Sequence, residues 1–191
     1  FSKLDPDVRS FRKAKKKLNN FNIKTNENVY KSEEHPVIVL ENKMDYSKKY
    51  SRVSHEIFHN YKYEKTTSNY PTLHISPKYS KPDLTLITYG GTLEDALCAV
   101  ETLFFRHDIL GEIVVLTQIS PLPLSHLKSA IQAKTILVIE EGSKEAGFGS
   151  EVLASLIENG QPFHKIKRVT SISGAIPASH ELEKQMLVNP M

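Results

Sequence analysis

Tryptophan is absent, cysteine occurs once, and glycine is missing from the whole early part of the 191-residue chain. One cysteine, Cys98, leaves no intramolecular disulfide and no cysteine-cluster zinc site. That agrees with a reducing compartment, and the expectation is a cytoplasmic protein. No window nears the ~18 consecutive apolar residues of a membrane span, and the N-terminal residues hold no apolar signal core, so no membrane role is expected. Charge of one sign is also scarce. A net +3 is too small to argue for a nucleic-acid partner. What is present, 39% hydrophobic and 25% charged residues, is enough to pack a core.

The average conceals a boundary near Asp83. Residues 1–82 carry 17 Lys/Arg against 9 Asp/Glu, whereas residues 83–191 carry 8 against 13. All eight glycines lie between Gly90 and Gly174, and seven of the eight tyrosines precede the boundary. Glycine serves tight strand–helix turns, so a regular domain is expected over 83–191. Residues 47–82 read as a polar linker in which Pro71, Pro77 and Pro82 favour an extended connector, with a short helix near Val53–Tyr61. Residues 1–46 hold a basic helix, Val8–Leu18, and a buried-type strand, Val37–Leu40.

Within 83–191, strands and amphipathic segments alternate. Strands are expected at 84–88, 113–116, 135–139 and 166–170. Helices are expected after Thr92, with Asp95 completing a capping pair, then from Pro123 to Ile131, over Ser150–Glu158, and around Leu182–Leu187. Strands joined by crossover helices form a mostly parallel sheet covered on both sides. The expected fold class is therefore α/β: a three-layer sandwich around a mostly parallel sheet of about five strands, preceded by an irregular N-terminal segment.

Several stretches carry possible chemistry. His55-Glu56-Ile57-Phe58-His59 fits the H-E-x-x-H pattern, in which two imidazoles one helical turn apart grip zinc and the glutamate activates water. No third ligand follows, and the bland alternative is a solvated short helix. Arg12 to Lys17 is a basic run with one aromatic neighbour, Phe11, which supplies no stacking platform for nucleic acid. Gly142 to Gly149 is a glycine-rich strand–helix turn of the sort that can present amides to phosphate. It lacks the Walker Gly-Lys-Ser/Thr, and Glu140-Glu141 would repel an anion. Nor do Gly90-Gly91-Thr92 complete a dinucleotide fingerprint. Both glycine clusters read as turns that allow close approach. Glu140 and Glu141 end a parallel strand, where α/β sheets place function; one could anchor a neighbouring chain, or both could face water. The residues supply no catalytic set and no metal site of their own.

Three stretches resemble the C-terminal domain of transketolase-type, thiamine-diphosphate-dependent enzymes. They are Asp83–Gly90, Val115–Leu122, and Val138-Ile139-Glu140-Glu141-Gly142 followed by Ala146-Gly147-Phe148-Gly149-Ser150-Glu151-Val152. The last is similar to "V-E-E-G…G-G-x-G-[AS]-E", and the pattern is closest to the β subunit of 2-oxoacid dehydrogenases of the pyruvate or branched-chain type. His35–Lys43 with Tyr46 resembles the last strand of the preceding pyrimidine-type domain. The resemblance implies an oxidoreductase subunit that acts through assembly, with an α-type dehydrogenase subunit, a second β subunit and the lipoyl acyltransferase component as partners. It implies thiamine diphosphate and magnesium in the assembled enzyme, none of them bound by this chain alone, because the motifs that hold them are not in these residues. Gly90, Gly91, Glu140, Glu141, Gly142, Gly147 and Gly149 are the interface or turn candidates. The alternative is a stand-alone interaction module that kept the fold without the enzyme.

Overall fold

In a computed structural model the described residues are 37–40 and 57–188, and the chain divides into two units, residues 1–59 and 60–191. Of the first unit's expected elements, the basic helix lies outside the described residues. Val37–Leu40 has no regular secondary structure, and Ile38 and Leu40 are 88% and 72% exposed. Ile57–Asn60 form a 3-10 turn that runs across the division between residues 59 and 60.

The second unit is built on one six-stranded sheet. Its strands are β1 (Tyr61–Lys65), β2 (Leu73–Pro77), β3 (Leu84–Tyr89), β4 (Gly111–Leu116), β5 (Thr135–Ser143) and β6 (Lys165–Ser171). Their spatial order is β1-β2-β4-β3-β5-β6. The four strands β4-β3-β5-β6 are mutually parallel, and β1 and β2 add as an antiparallel hairpin beside β4. The parallel pairs are joined by α1 (Leu93–His107), α2 (Leu124–Ala130) and α3 (Phe148–Glu158), and α4 (His180–Met186) follows β6.

The strand order explains the layers. The step from β3 to β4 runs one way along the sheet, and the steps from β4 to β5 and β5 to β6 run the other way. Right-handed crossovers then put α1 on one face and α2 with α3 on the opposite face. Side chains agree. Ile87, Val114, Ile136 and Val138 pack with Leu127 of α2 and Val152 and Leu156 of α3. On the other side the Val100 side chain of α1 closes over Gly111, next to Leu86.

Two expectations are corrected by these elements. The sheet has six strands, two of them from residues 61–77, inside the stretch expected as a polar connector. Every residue of β2 is buried, and the strand is flanked by β1 and β4. The Thr92–Asp95 capping pair is also replaced. An N-cap side chain must start from extended backbone to reach the next amides. Thr92 instead is helical (φ −75°, ψ −1°), ends the 3-10 turn Gly90–Thr92, and donates its hydroxyl to the Tyr89 carbonyl at 2.7 Å.

At the amino ends of the parallel strands lies a fully buried carboxylate. Glu112, 0% exposed on β4, is bonded to His74 Nε2 (2.7 Å), and accepts from Thr85 Oγ1 (2.5 Å) and the Gln132 and Ala133 amides (2.7 and 3.2 Å). One side chain thus ties β2, β3, β4 and the segment entering β5. The hairpin is pinned nearby, where the Tyr61 hydroxyl donates to the Gly111 carbonyl at 2.8 Å.

Burial pushes the neighbouring Tyr63 phenol up to about 12 from an ordinary 10.0. The folded chain therefore keeps this proton between about pH 10 and 12 while the unfolded chain loses it, so its contribution is intact below pH 10 and fades as pH rises through 12. Comparing the 295 nm alkaline titration of the native chain with that of Tyr63→Phe should place the missing phenolate step near pH 12. A missing step near pH 10 would show an unburied ring.

Candidate functional site

The connection reversal between β3 and β5 creates a switch point at their carboxyl ends, the place where open α/β sheets build crevices. Tyr89 ends β3 there and Gly90-Gly91 begin the 3-10 turn that follows, while Glu140, Glu141 and Gly142 lie on the last turnward part of β5. Gly90 takes φ +56°, which a side chain would disfavour. The half-buried Tyr89 ring meets Phe148 of α3 edge-on, with centroids 4.8 Å apart. Burial first, then the Glu140 and Glu141 charges, raises its phenol pKa.

The two adjacent acids part company. Glu141 is exposed, whereas Glu140 is 0% exposed. Alternation along β5 is the cause, for Ile136, Val138 and Glu140 follow one another on the face covered by α3. A register shift between Ile139 and Ser143 then loosens the pairing with β6. Neither oxygen of Glu140 has a hydrogen-bond partner, and Arg168 Nη1 stands 3.8 Å from Oε1.

Gly147 and Gly149 make room for this carboxylate. A Cβ on Gly147 would lie 2.4 Å from the Ser143 carbonyl and 2.6 and 2.9 Å from the Glu140 oxygens. One on Gly149 would lie 2.6 Å from Glu140 Oε1 and 2.9 Å from Arg168 Cδ. The close approach expected of these glycines is therefore made within the chain, by a buried acid and an arginine stem.

Above them runs a short loop. Ala146 has φ +52°, and Arg168 Nη1 donates to the Lys144 carbonyl (2.7 Å) and Ser150 Oγ (2.5 Å). Ser173 donates to Glu145 Oε2, which holds that carboxyl below its usual range.

Among the described residues, no group of three or more His, Cys, Asp or Glu is placed to hold a metal ion. His59 lies in the 3-10 turn, while His55 and Glu56 are outside the described residues. Cys98 sits on α1, where burial and then Glu94, Asp95 and Glu101 raise its thiol pKa, the reverse of an activated nucleophile. No helix among the described residues is long and apolar enough to cross a membrane.

A family model described as the transketolase C-terminal domain matches residues 74–191. The chain belongs to that family. The match begins at β2, so the hairpin's second strand is part of the family unit. Among curated relatives, this chain is 29% identical over 89 residues to the 3-methyl-2-oxobutanoate dehydrogenase subunit beta of two Mycobacterium tuberculosis strains, CDC 1551/Oshkosh and ATCC 25618/H37Rv. That alignment covers 46% of this chain and 26% of the relatives, so the chain matches about a quarter of their length. Among solved structures, a split-gene transketolase described as an inactive β4 tetramer has a TM-score of 0.48 and 22% identity, over 56% of this chain and 35% of that one. A 2-oxoglutarate:ferredoxin oxidoreductase from Magnetococcus marinus has a TM-score of 0.42 and 15% identity, over 68% and 18%.

The residues of this transketolase C-terminal domain do not fit a diphosphate at the start of α3. The space over Gly147 and Gly149 is taken by the Glu140 carboxylate, whose charge opposes an anion. The glycine turn is a packing device for an internal acid.

Proposed function

We propose that this chain is the C-terminal, assembly-supporting portion of a thiamine-diphosphate-dependent 2-oxoacid dehydrogenase β subunit. In that enzyme a 2-oxoacid is oxidatively decarboxylated and its acyl group passes to a lipoyl carrier. The observation that carries the reading is the family match over 74–191, joined to a switch point closed by Glu140. On this reading residues 1–46 are the remnant of the final helix and strand of a pyrimidine-type domain, and residues 47–82 lead into the C-terminal domain. The cofactor and magnesium are held outside this chain, in a cytoplasmic assembly with an α-type subunit and a second β subunit.

The exposed side of the strand ends, Gly90, Gly91, Glu141 and Gly142, is the surface proposed to meet those subunits, with the lipoyl acyltransferase component as a further partner. Glu141→Ala should weaken association about tenfold, as expected for loss of a charge-assisted contact across an interface, without altering the isolated fold. Analytical ultracentrifugation checks this, and unchanged association removes Glu141 from the interface.

The reading itself is tested by turnover of pyruvate and 3-methyl-2-oxobutanoate. The chain alone, given thiamine diphosphate and magnesium, is expected to be inactive. Oxoacid turnover by the chain alone would overturn the supporting role.

A further inference from the structure

α3 ends in a cap that sets a reactive pair in water. Asn159 is the C-cap, and Gly160 follows it at φ +66°, the left-handed position that helix ends favour for glycine. The Gly160 and Gln161 amides close the cap onto the Ile157 and Leu156 carbonyls, both at 3.0 Å. Asn159 is exposed, and a Cβ on Gly160 would meet nothing within 4 Å. The sequence holds no other Asn-Gly pair. Its chemistry is internal: a backbone nitrogen with no side chain beside it has the least hindered approach to the preceding side-chain amide.

The cap holds that reaction off. Attack on Asn159 Cγ requires the Asn159–Gly160 peptide plane to turn about ψ of Asn159, and at the observed 15° its nitrogen points away from the side chain. Three hydrogen bonds fix the reacting groups. Asn159 Nδ2 donates to the Ser155 carbonyl at 2.9 Å, and the Gly160 amide donates to Ile157. The third comes from α2, where Lys128 Nζ donates to the Asn159 carbonyl at 2.7 Å. That carbonyl belongs to the plane that must turn, so Lys128 clamps it from outside the helix.

We propose that Asn159 is a self-modification site and that Lys128 sets its rate. When the last turn of α3 opens, the Gly160 nitrogen bonds to Asn159 Cγ. The side-chain nitrogen leaves as ammonia, carrying off the Gly160 amide proton, and a succinimide remains. Water then breaks one of the two bonds to the ring nitrogen. Cleavage at Cγ gives aspartate at 159, cleavage at the backbone carbonyl gives isoaspartate, and neither step transfers electrons to an outside group. Either product loses the Nδ2 donor and puts a carboxylate at a helix C-terminus, where the backbone dipole opposes it. The reaction needs only this chain and water, so it stands or falls independently of the assembly reading.

Peptide mapping by mass spectrometry of the full chain, incubated at neutral pH, tests it. Conversion at Asn159 should accumulate in the folded chain, and about tenfold faster in urea, where no cap remains. Lys128→Met should quicken it about threefold, the worth of one exposed charged hydrogen bond. Lys128→Arg keeps a donor and should stay near the native rate, which separates loss of the clamp from a general effect of changing the residue. An intact Asn159 in the folded chain, after the urea sample has converted completely, would overturn the site. A folded rate equal to that in urea, or a native rate in Lys128→Met, would overturn the clamp.

Discussion

Gly147→Ala should destabilise the chain by about 3 kcal/mol, an overpacking cost at the upper end of the usual range. The added methyl would lie 2.4 Å from the Ser143 carbonyl, a backbone atom fixed in β5, and 2.6 Å from Glu140 Oε2. The backbone carbonyl cannot give way cheaply. Urea denaturation measures the effect as a lower midpoint. Gly149→Ala separates the causes, because its closest obstacle is the Glu140 side chain and not backbone. Adding Glu140→Ala should therefore recover much of the loss in Gly149→Ala and much less in Gly147→Ala. Equal recovery at both positions would mean that the Ser143 carbonyl is not the limiting contact.

Glu112→Ala should cost about 4 kcal/mol, because it strands several buried donors at once. The imidazole of His74, the Thr85 hydroxyl and the Gln132 amide lose their acceptor, and the Ala133 amide keeps only Thr85 Oγ1 at 3.3 Å. Glu112→Gln, which keeps one carbonyl oxygen but adds an amide donor among donors, should fall between native and Glu112→Ala. Chemical denaturation of the three proteins checks the order. A Glu112→Ala chain as stable as native would show that the clasp does not hold β2 and β4 together.

Much of this architecture was legible from residue pattern because the signals were local. The apolar runs 84–87 and 135–139, punctuated by Gly90-Gly91 and Gly142, marked β3 and β5 within a residue or a few. β1 and β2 were hidden for two reasons. Tyr61-Lys62-Tyr63-Glu64-Lys65 alternates aromatic with charged residues, a two-residue period whose apolar half also suits a polar connector. Leu73-His74-Ile75-Ser76-Pro77 is buried throughout, yet it carries a histidine that only a distant partner, Glu112, makes acceptable. The available signal was Glu112 itself, a lone acid within Gly111–Leu116, which demands a buried donor somewhere in the fold.

The strand-end acids show the same division. Their position was legible, because Glu140-Glu141 closes an apolar strand. Their separation into one buried and one exposed group was not, since it depends on how α3 starts at Gly147–Phe148 and lies over β5. The resemblance pointed to the family, and residues 74–191 bear it out. It also drew attention to Gly147 and Gly149 without revealing that the group they accommodate is Glu140.

The central claim is that this chain works by holding other subunits. Sedimentation velocity of the full chain, alone and mixed with an α-type 2-oxoacid dehydrogenase subunit, addresses it directly. The account predicts a single faster boundary containing both polypeptides. Two independent boundaries at every concentration, with the chain unassociated, would contradict it.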